Sequence, residues 1–171
     1  FGYFLKKKNT FVFTHPIFLK KIFSEDHPEK PERLTRILQE LKNKKMDNLI
    51  KKINLNLEVD FWINQIHSTK HMESLKKKFP LAEHLSSTAV RGCIEAVDQI
   101  MSKQILNAFC LSRPPGHHAL NTGKDEGFCF YNHVAIAAKY IQQKHNKKRI
   151  LIIDWDYHHG NATELFFYSD P

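Results

Sequence analysis

Apolar residues recur at helical spacing in two stretches of the first half of the chain. In "PERLTRILQELKNK", Leu34, Ile37, Leu38 and Leu41 fall three or four residues apart and share one stripe of a helix. Pro31 suits its first turn and Glu32 its positive end, while the preceding "SEDHPEK" reads as a loop. In "SSTAVRGCIEAVDQIMSK", a Ser/Thr start leads into Val90, Ile94, Val97 and Met101 on one stripe, which predicts a second helix. Residues 1–24 are rich in Phe and Lys, show no helical period, and read as an extended or irregular N-terminal segment.

The second half alternates element types. "NAFCLS" is a short apolar strand, and "RPPGHHALNTGKDEGFCFY" is a loop with two prolines and three glycines. "NHVAIAAKYIQQKH" is a helix, "RILIID" a second buried strand, and "ATELFFY" the start of a further helix. Strand, loop, helix, strand is a βαβ unit, which implies a parallel sheet covered on both faces. Ligands bind at the carboxyl ends of such strands. Both histidine-rich segments, "GHH" and "DWDYHHGN", lie there.

Composition fits one globular domain: 171 residues, 42% hydrophobic and 26% charged. No apolar run is long enough to cross a bilayer. "FGYFLKKKNTFVF" puts its lysines after a short apolar stretch, the reverse of a secretory leader. The first residue is Phe and the last residues are "FFYSDP", so a fragment of a longer chain is expected. Cys93, Cys110 and Cys129 are an odd count without a C-x-x-C pair, which points to buried free thiols in a reducing compartment. The net charge of +8 resides in residues 1–80, with 17 Lys and Arg against 9 Asp and Glu; the remainder holds 9 against 9. The lysine runs at 6–8 and 76–78 lack interleaved aromatics and read as solvated faces, not as a nucleic-acid surface.

The chemistry concentrates at "DWDYHHGN". In an extended segment Asp154, Asp156 and His158 share one face, and Trp155, Tyr157 and His159 share the other, with His159 expected to point into packing. Carboxylates and an imidazole gathered beside a buried strand end carry a large desolvation cost unless a cation sits among them. Oxygen and nitrogen donors suit zinc. His117 and His118 are neighbours, so in an extended chain they diverge; they suit a base and its companion beside a metal-bound water better than two ligands of one ion. Asp154 and Asn161 are available to orient them. Gly127 lets backbone approach a ligand, and Phe128 offers a wall for a narrow apolar slot. The residues alone imply a metal-assisted hydrolase and do not reach a substrate.

"RPPGHHA", "GFCFYNHVAIAAKY" and "RILIIDWDYHHGNATELFFYSDP" closely resemble the zinc-dependent histone deacetylase family. "HPEKPERLTRIL" and "IHSTKHMESL" resemble its N-terminal segments in the same order, so the likeness runs from about residue 25 to the end. The double proline and Asn161 after "HHG" look class II-like. The resemblance implies residues 1–171 as a partial catalytic domain. Its fold would be an arginase/deacetylase-like three-layer α/β sandwich with a mostly parallel sheet, incomplete at the C-terminus. It implies hydrolysis of N-acetyl-lysine in histones or other proteins. By matched position, Asp156 and His158 are zinc ligands, and His118 is the general base and acid. His117 holds and polarises the water, Asp154 backs His117, Asn161 backs His118, and Gly127 and Phe128 line the acyl-lysine tunnel. Asp154, with the backbone carbonyls of Asp156 and His158, matches a structural potassium site. The implied partners are acetylated histone tails or other acetyl-lysine proteins and corepressor-type complexes acting in transcription repression, with no direct nucleic acid and no membrane. The implied compartment is nucleus or cytoplasm.

Some positions depart from the family pattern. Ala162 stands where Gly is usual and His133 where a second Asn is common. The third zinc ligand and the residue near the carbonyl oxygen belong to segments after "DWDYHHGN" and are not matched. Two rival readings follow: a non-catalytic deacetylase-like binding module, and a deacetylase of small amides such as acetylated polyamines.

Overall fold

The computed structural model describes residues 10–170. Strand β1 (Thr10–Thr14) leads through a 3-10 turn (Pro16–Leu19) and a loop to helix α1 (Glu32–Asn43), and β2 (Ile50–Lys52) follows. Helices α2 (Asp60–Ile63), α3 (Thr69–Lys78) and α4 (Pro80–Met101) precede β3 (Asn107–Cys110), after which come α5 (His133–His145) and α6 (Asn161–Phe167). The sheet is parallel, in the order β2-β1-β3, with Val12 opposite Ile50 and Phe109. Parallel pairing requires crossovers, and α1 supplies the one from β1 to β2. Val12 and Phe13 point to opposite faces of β1 and are both buried, so this strand is covered on both sides.

α4 organises the interior. One side packs Val90 and Ile94 with Ile63, Leu75, Tyr131 and Ile136; the other packs Leu85 and Ala89 with Phe13, Phe18 and Leu111. A helix buried on two sides reads as apolar nearly all round, which is why the single expected stripe understates it. It begins at Pro80, six residues before the expected Ser86. The Ser87 and Thr88 hydroxyls donate to the His84 carbonyl from within the helix and cap nothing. On α1 only Leu34 of the expected stripe is buried, and Ile37 is exposed.

Three other expectations change. The segment expected to be irregular contains the central strand β1; the part of it before residue 10 lies outside the described residues. β3 and α5 form where expected, but "RILIID" joins no sheet among the described residues. Leu151 is 82% and Ile153 70% exposed, while Ile150 and Ile152 are half-buried beside Ala138 and Phe167. The physical reason is pairing: β3 is hydrogen-bonded to β1 alone, and no strand of the described residues lies against 149–154. The three cysteines are free thiols; Cys129 is fully buried as expected, and Cys93 and Cys110 are only partly buried. No helix of the described residues is long and apolar enough to cross a membrane.

Candidate active site

The loop between β3 and α5 starts from a buried anchor. Arg113 and Glu29, each 3% exposed, meet through two parallel bonds of 2.6 Å, Nε to Oε1 and Nη2 to Oε2. Arg113 Nη1 donates to the Phe18 and Lys20 carbonyls, both at 2.7 Å. The planar fork fits the carboxylate and both carbonyls at once, and it fixes where the loop leaves the sheet. The Arg113–Pro114 peptide is cis.

The chain turns at 117–118, so it is not extended there. The His117 and His118 rings therefore lie side by side, with centroids 4.1 Å apart, and do not diverge as an extended chain would make them. His117 Nδ1 donates to Asp154 Oδ2 at 2.8 Å, and His118 Nδ1 donates to Asn161 Oδ1 at 2.6 Å. Both partners are acceptors, which places a proton on each Nδ1. His117 Nε2 lies 3.8 Å from Asp156 Oδ1. Asp154 Oδ1 also accepts the Asp156 N–H at 3.1 Å. Partial burial opposes ionisation of Asp154, but the bonds from His117 and the Asp156 N–H outweigh it and hold the carboxyl below its ordinary value.

Asp156 and His158 form the donor pair. Asp156 Oδ1 accepts the His158 N–H at 2.7 Å and stands 3.2 Å from His158 Nδ1. Two ligands at zinc bond lengths and a tetrahedral angle sit about 3.3 Å apart, so this spacing fits one ion held between them. The His158 N–H holds the Asp156 carboxyl below its ordinary value. Among the described residues no group of three metal-donor side chains gathers; Asp156 and His158 are the two that could hold an ion. Trp155 and Tyr157 take the opposite face and are 92% and 96% exposed. His159 does not enter packing; it is exposed and pairs with Glu164 at 2.8 Å.

Gly127 and Phe128 stand beside the paired imidazoles. Gly127 has φ +50°, and a Cβ there would come within 2.5 Å of His118 Cδ2. Phe128 holds φ +70°, a conformation costly for a side chain, with its ring centroid 4.4 Å from that of His27 in an edge-to-face arrangement and Phe23 behind. Phe128 is 37% exposed. Below it, burial pushes the Cys129 thiol up to about 12, so it stays neutral. A groove of about 650 Å³ runs past Asp154, Asp156 and His158 towards α5 and α6, and it does not include His117, His118 or Phe128.

Sequence reasoning missed the residues that hold this arrangement in place: Glu29, Arg113, His67, His71, Asn121 and Asn132. A glutamate between two prolines and a histidine before a Ser-Thr helix start carry no obvious signal of burial. Only Asn132, as the cap of α5, was legible; its Oδ1 accepts the Ala135 N–H.

A parallel α/β fold with oriented, paired imidazoles beside an oxygen–nitrogen donor pair defines the arginase/deacetylase-like class. The histone deacetylase domain family matches residues 27–171. Histone deacetylase 6 of Caenorhabditis elegans is 38% identical over 174 residues, covering 85% of this chain and 18% of that protein. The human polyamine deacetylase HDAC10 is 30% identical, covering 84% of this chain and 24% of that protein. The crystal structure of the HDA15 HD domain superposes with a TM-score of 0.82 at 27% identity, covering 94% of this chain and 50% of that one. The chain belongs to the histone deacetylase family. It spans a quarter or less of the curated relatives it matches and half of the solved domain.

Proposed function

We propose that the protein is a zinc-dependent deacetylase that hydrolyses N-acetyl-lysine in histones or other proteins. The observation that carries this reading is the double orientation of the imidazoles. Asp154 and Asn161 occupy both Nδ1 atoms; His117 Nε2 lies 3.8 Å from Asp156 Oδ1, and the His118 ring centroid is 6.1 Å from that of His158. Asp156 and His158 would hold the zinc. When bound, zinc polarises the amide carbonyl and lowers the pKa of the attacking water. His118 Nε2 accepts a proton from that water as its oxygen bonds to the carbonyl carbon, and returns it to the lysine nitrogen as the C–N bond breaks. His117 Nε2 accepts a hydrogen bond from the water and orients it. Asp154 holds the Nδ1 proton of His117, the tautomer that leaves Nε2 for the water, and with the carbonyls of Asp156 and His158 it would hold a potassium ion. Gly127 and Phe128 give the acetylated arm an apolar wall; acetylation removes the lysine charge that such a wall would reject.

The names of the human and zebrafish relatives favour a second reading, hydrolysis of acetylated polyamines. Acetate release from acetyl-lysine peptides and from acetylated polyamines, measured on the zinc-loaded protein, separates the two. In the full-length protein, His118→Ala should nearly abolish turnover with zinc content unchanged, and Asp156→Ala should lose the zinc. Zinc loss in His118→Ala, or full occupancy in Asp156→Ala, overturns these roles. Acetylated histone tails, corepressor-type complexes and a nuclear or cytoplasmic site of action follow from the same proposal.

A further inference from the structure

The loop that carries Gly127 and Phe128 is closed at its base by two buried histidines from another part of the chain. His67, after α2, and His71, in α3, are each 1% exposed and stack with centroids 5.0 Å apart. His67 Nε2 accepts the Asn132 N–H at 2.8 Å, so its Nδ1 carries the proton towards Asn121 Oδ1 at 3.3 Å. His71 is the opposite tautomer: Nδ1 accepts the Gly123 N–H at 2.9 Å and Nε2 donates to the Phe130 carbonyl at 2.9 Å. One ring thus ties residues 121 and 132, and the other ties 123 and 130. Between these ties, Glu126 and Cys129 pair across the loop tip that presents Gly127 and Phe128. Asn121 reinforces the base, accepting the Ser68 N–H and donating to the Ile66 carbonyl.

The connection continues to the other side of the site. Asn132 Nδ2 donates to Thr163 Oγ1 at 2.8 Å, and Thr163 lies in α6, two residues beyond Asn161. Asn161 is the partner of His118. Burial, then the neighbouring His71, holds the His67 imidazole down to about 3, and burial also lowers His71, in keeping with two neutral rings.

We propose that the stacked His67–His71 pair is a positioning device: it fixes the slot-wall loop directly and, through Asn132 and Thr163, the Asn161–His118 contact. This deepens the deacetylase reading by assigning what sets its slot and its base. The test does not use activity, so the two can fail separately. Two-bond 1H–15N spectra of the chain report the tautomer and hydrogen bonding of each imidazole. In the unchanged chain His67 and His71 should show opposite neutral tautomers. Thr163→Val cuts the link to α6 without touching the pair, and should shift the His118 Nδ1 resonance while leaving those of His67 and His71 in place. His67→Leu should shift His118 in the same sense and speed exchange of the Asn132 amide by about tenfold, the worth of one hydrogen bond. His67→Gln, which keeps a side-chain oxygen for the Asn132 N–H, should restore the His118 signal. The double variant should shift His118 no further than the larger single change. An unmoved His118 signal in Thr163→Val, or additive shifts in the double variant, overturns the proposal. Should His67→Leu not fold, Thr163→Val decides alone.

Discussion

Lowering the pH from 7.5 to 5 should destabilise the chain by about 2 kcal/mol at His67 alone. The folded imidazole is buried and titrates at about 3, against 6.5 for the free side chain. Between those values the unfolded chain holds a proton that the folded chain refuses, so stability rises with pH there. The slope is about 1.4 kcal/mol per pH unit, and at pH 5 the window has been crossed for about one and a half units. Nothing in the contacts of His67 offsets this, since its ring meets His71, Asn121, Tyr131, Phe166 and the Asn132 N–H and no carboxylate. His133 adds a similar amount: burial holds it down to about 4, against the opposing pull of the Pro114 carbonyl. Urea unfolding at pH 7.5 and pH 5 measures the difference. In His67→Gln, which has no proton to gain, the loss between the two pH values should shrink by about 2 kcal/mol. An equal loss in the variant and the unchanged chain would refute the reasoning, because the acid sensitivity would then lie elsewhere.

Arg113→Met strands Glu29 and two carbonyls in the interior, and should cost about 3–5 kcal/mol in urea unfolding. Adding Glu29→Met should recover most of that loss; a double variant as unstable as the single one would mean that the pair is not what the fold depends on. Gly127→Ala forces a Cβ into His118 and a side chain into φ +50°, and should cut acetyl-lysine hydrolysis by about a hundredfold through displacement of the base. A variant with unchanged turnover would show that the loop moves aside without disturbing His118.

The site was more legible in the sequence than the fold around it. Charged and titratable side chains at a strand end stand out because ordinary burial does not explain them, and His117, His118, Asp154, Asp156, His158 and Asn161 do converge. "TFVFT" gave no comparable signal. It is β1, the middle strand of the sheet, but its few apolar residues sit among lysines and lack the length that marks a buried strand. "RILIID" erred the other way. Its apolar content is that of a buried strand, yet burial depends on a neighbour, and composition states only the demand for one. The expected divergence of His117 and His118 failed because it assumed extended backbone where the chain turns.

The anchoring groups show why catalytic residues are easier to read than the residues that place them. In the proposed reaction His118 acts only if its Nδ1 is occupied, its Nε2 is free, and the wall beside it stays put. The first condition is met by Asn161, three positions after a recognisable D-x-D-x-H motif. The last is met by His67 and His71, which lie 51 and 47 positions upstream of His118 and meet the loop only in the folded chain. Each bonds backbone groups, and a backbone N–H or carbonyl leaves no mark on the sequence of its partner. Arg113 and Glu29 share this property in part, since two of the four bonds made by Arg113 go to carbonyls. Positioning in this protein therefore rests on buried polar side chains that grip main chain. A substitution at His67 or Arg113 should disturb the site as strongly as one beside the reacting atoms, although neither residue carries any of the chemistry.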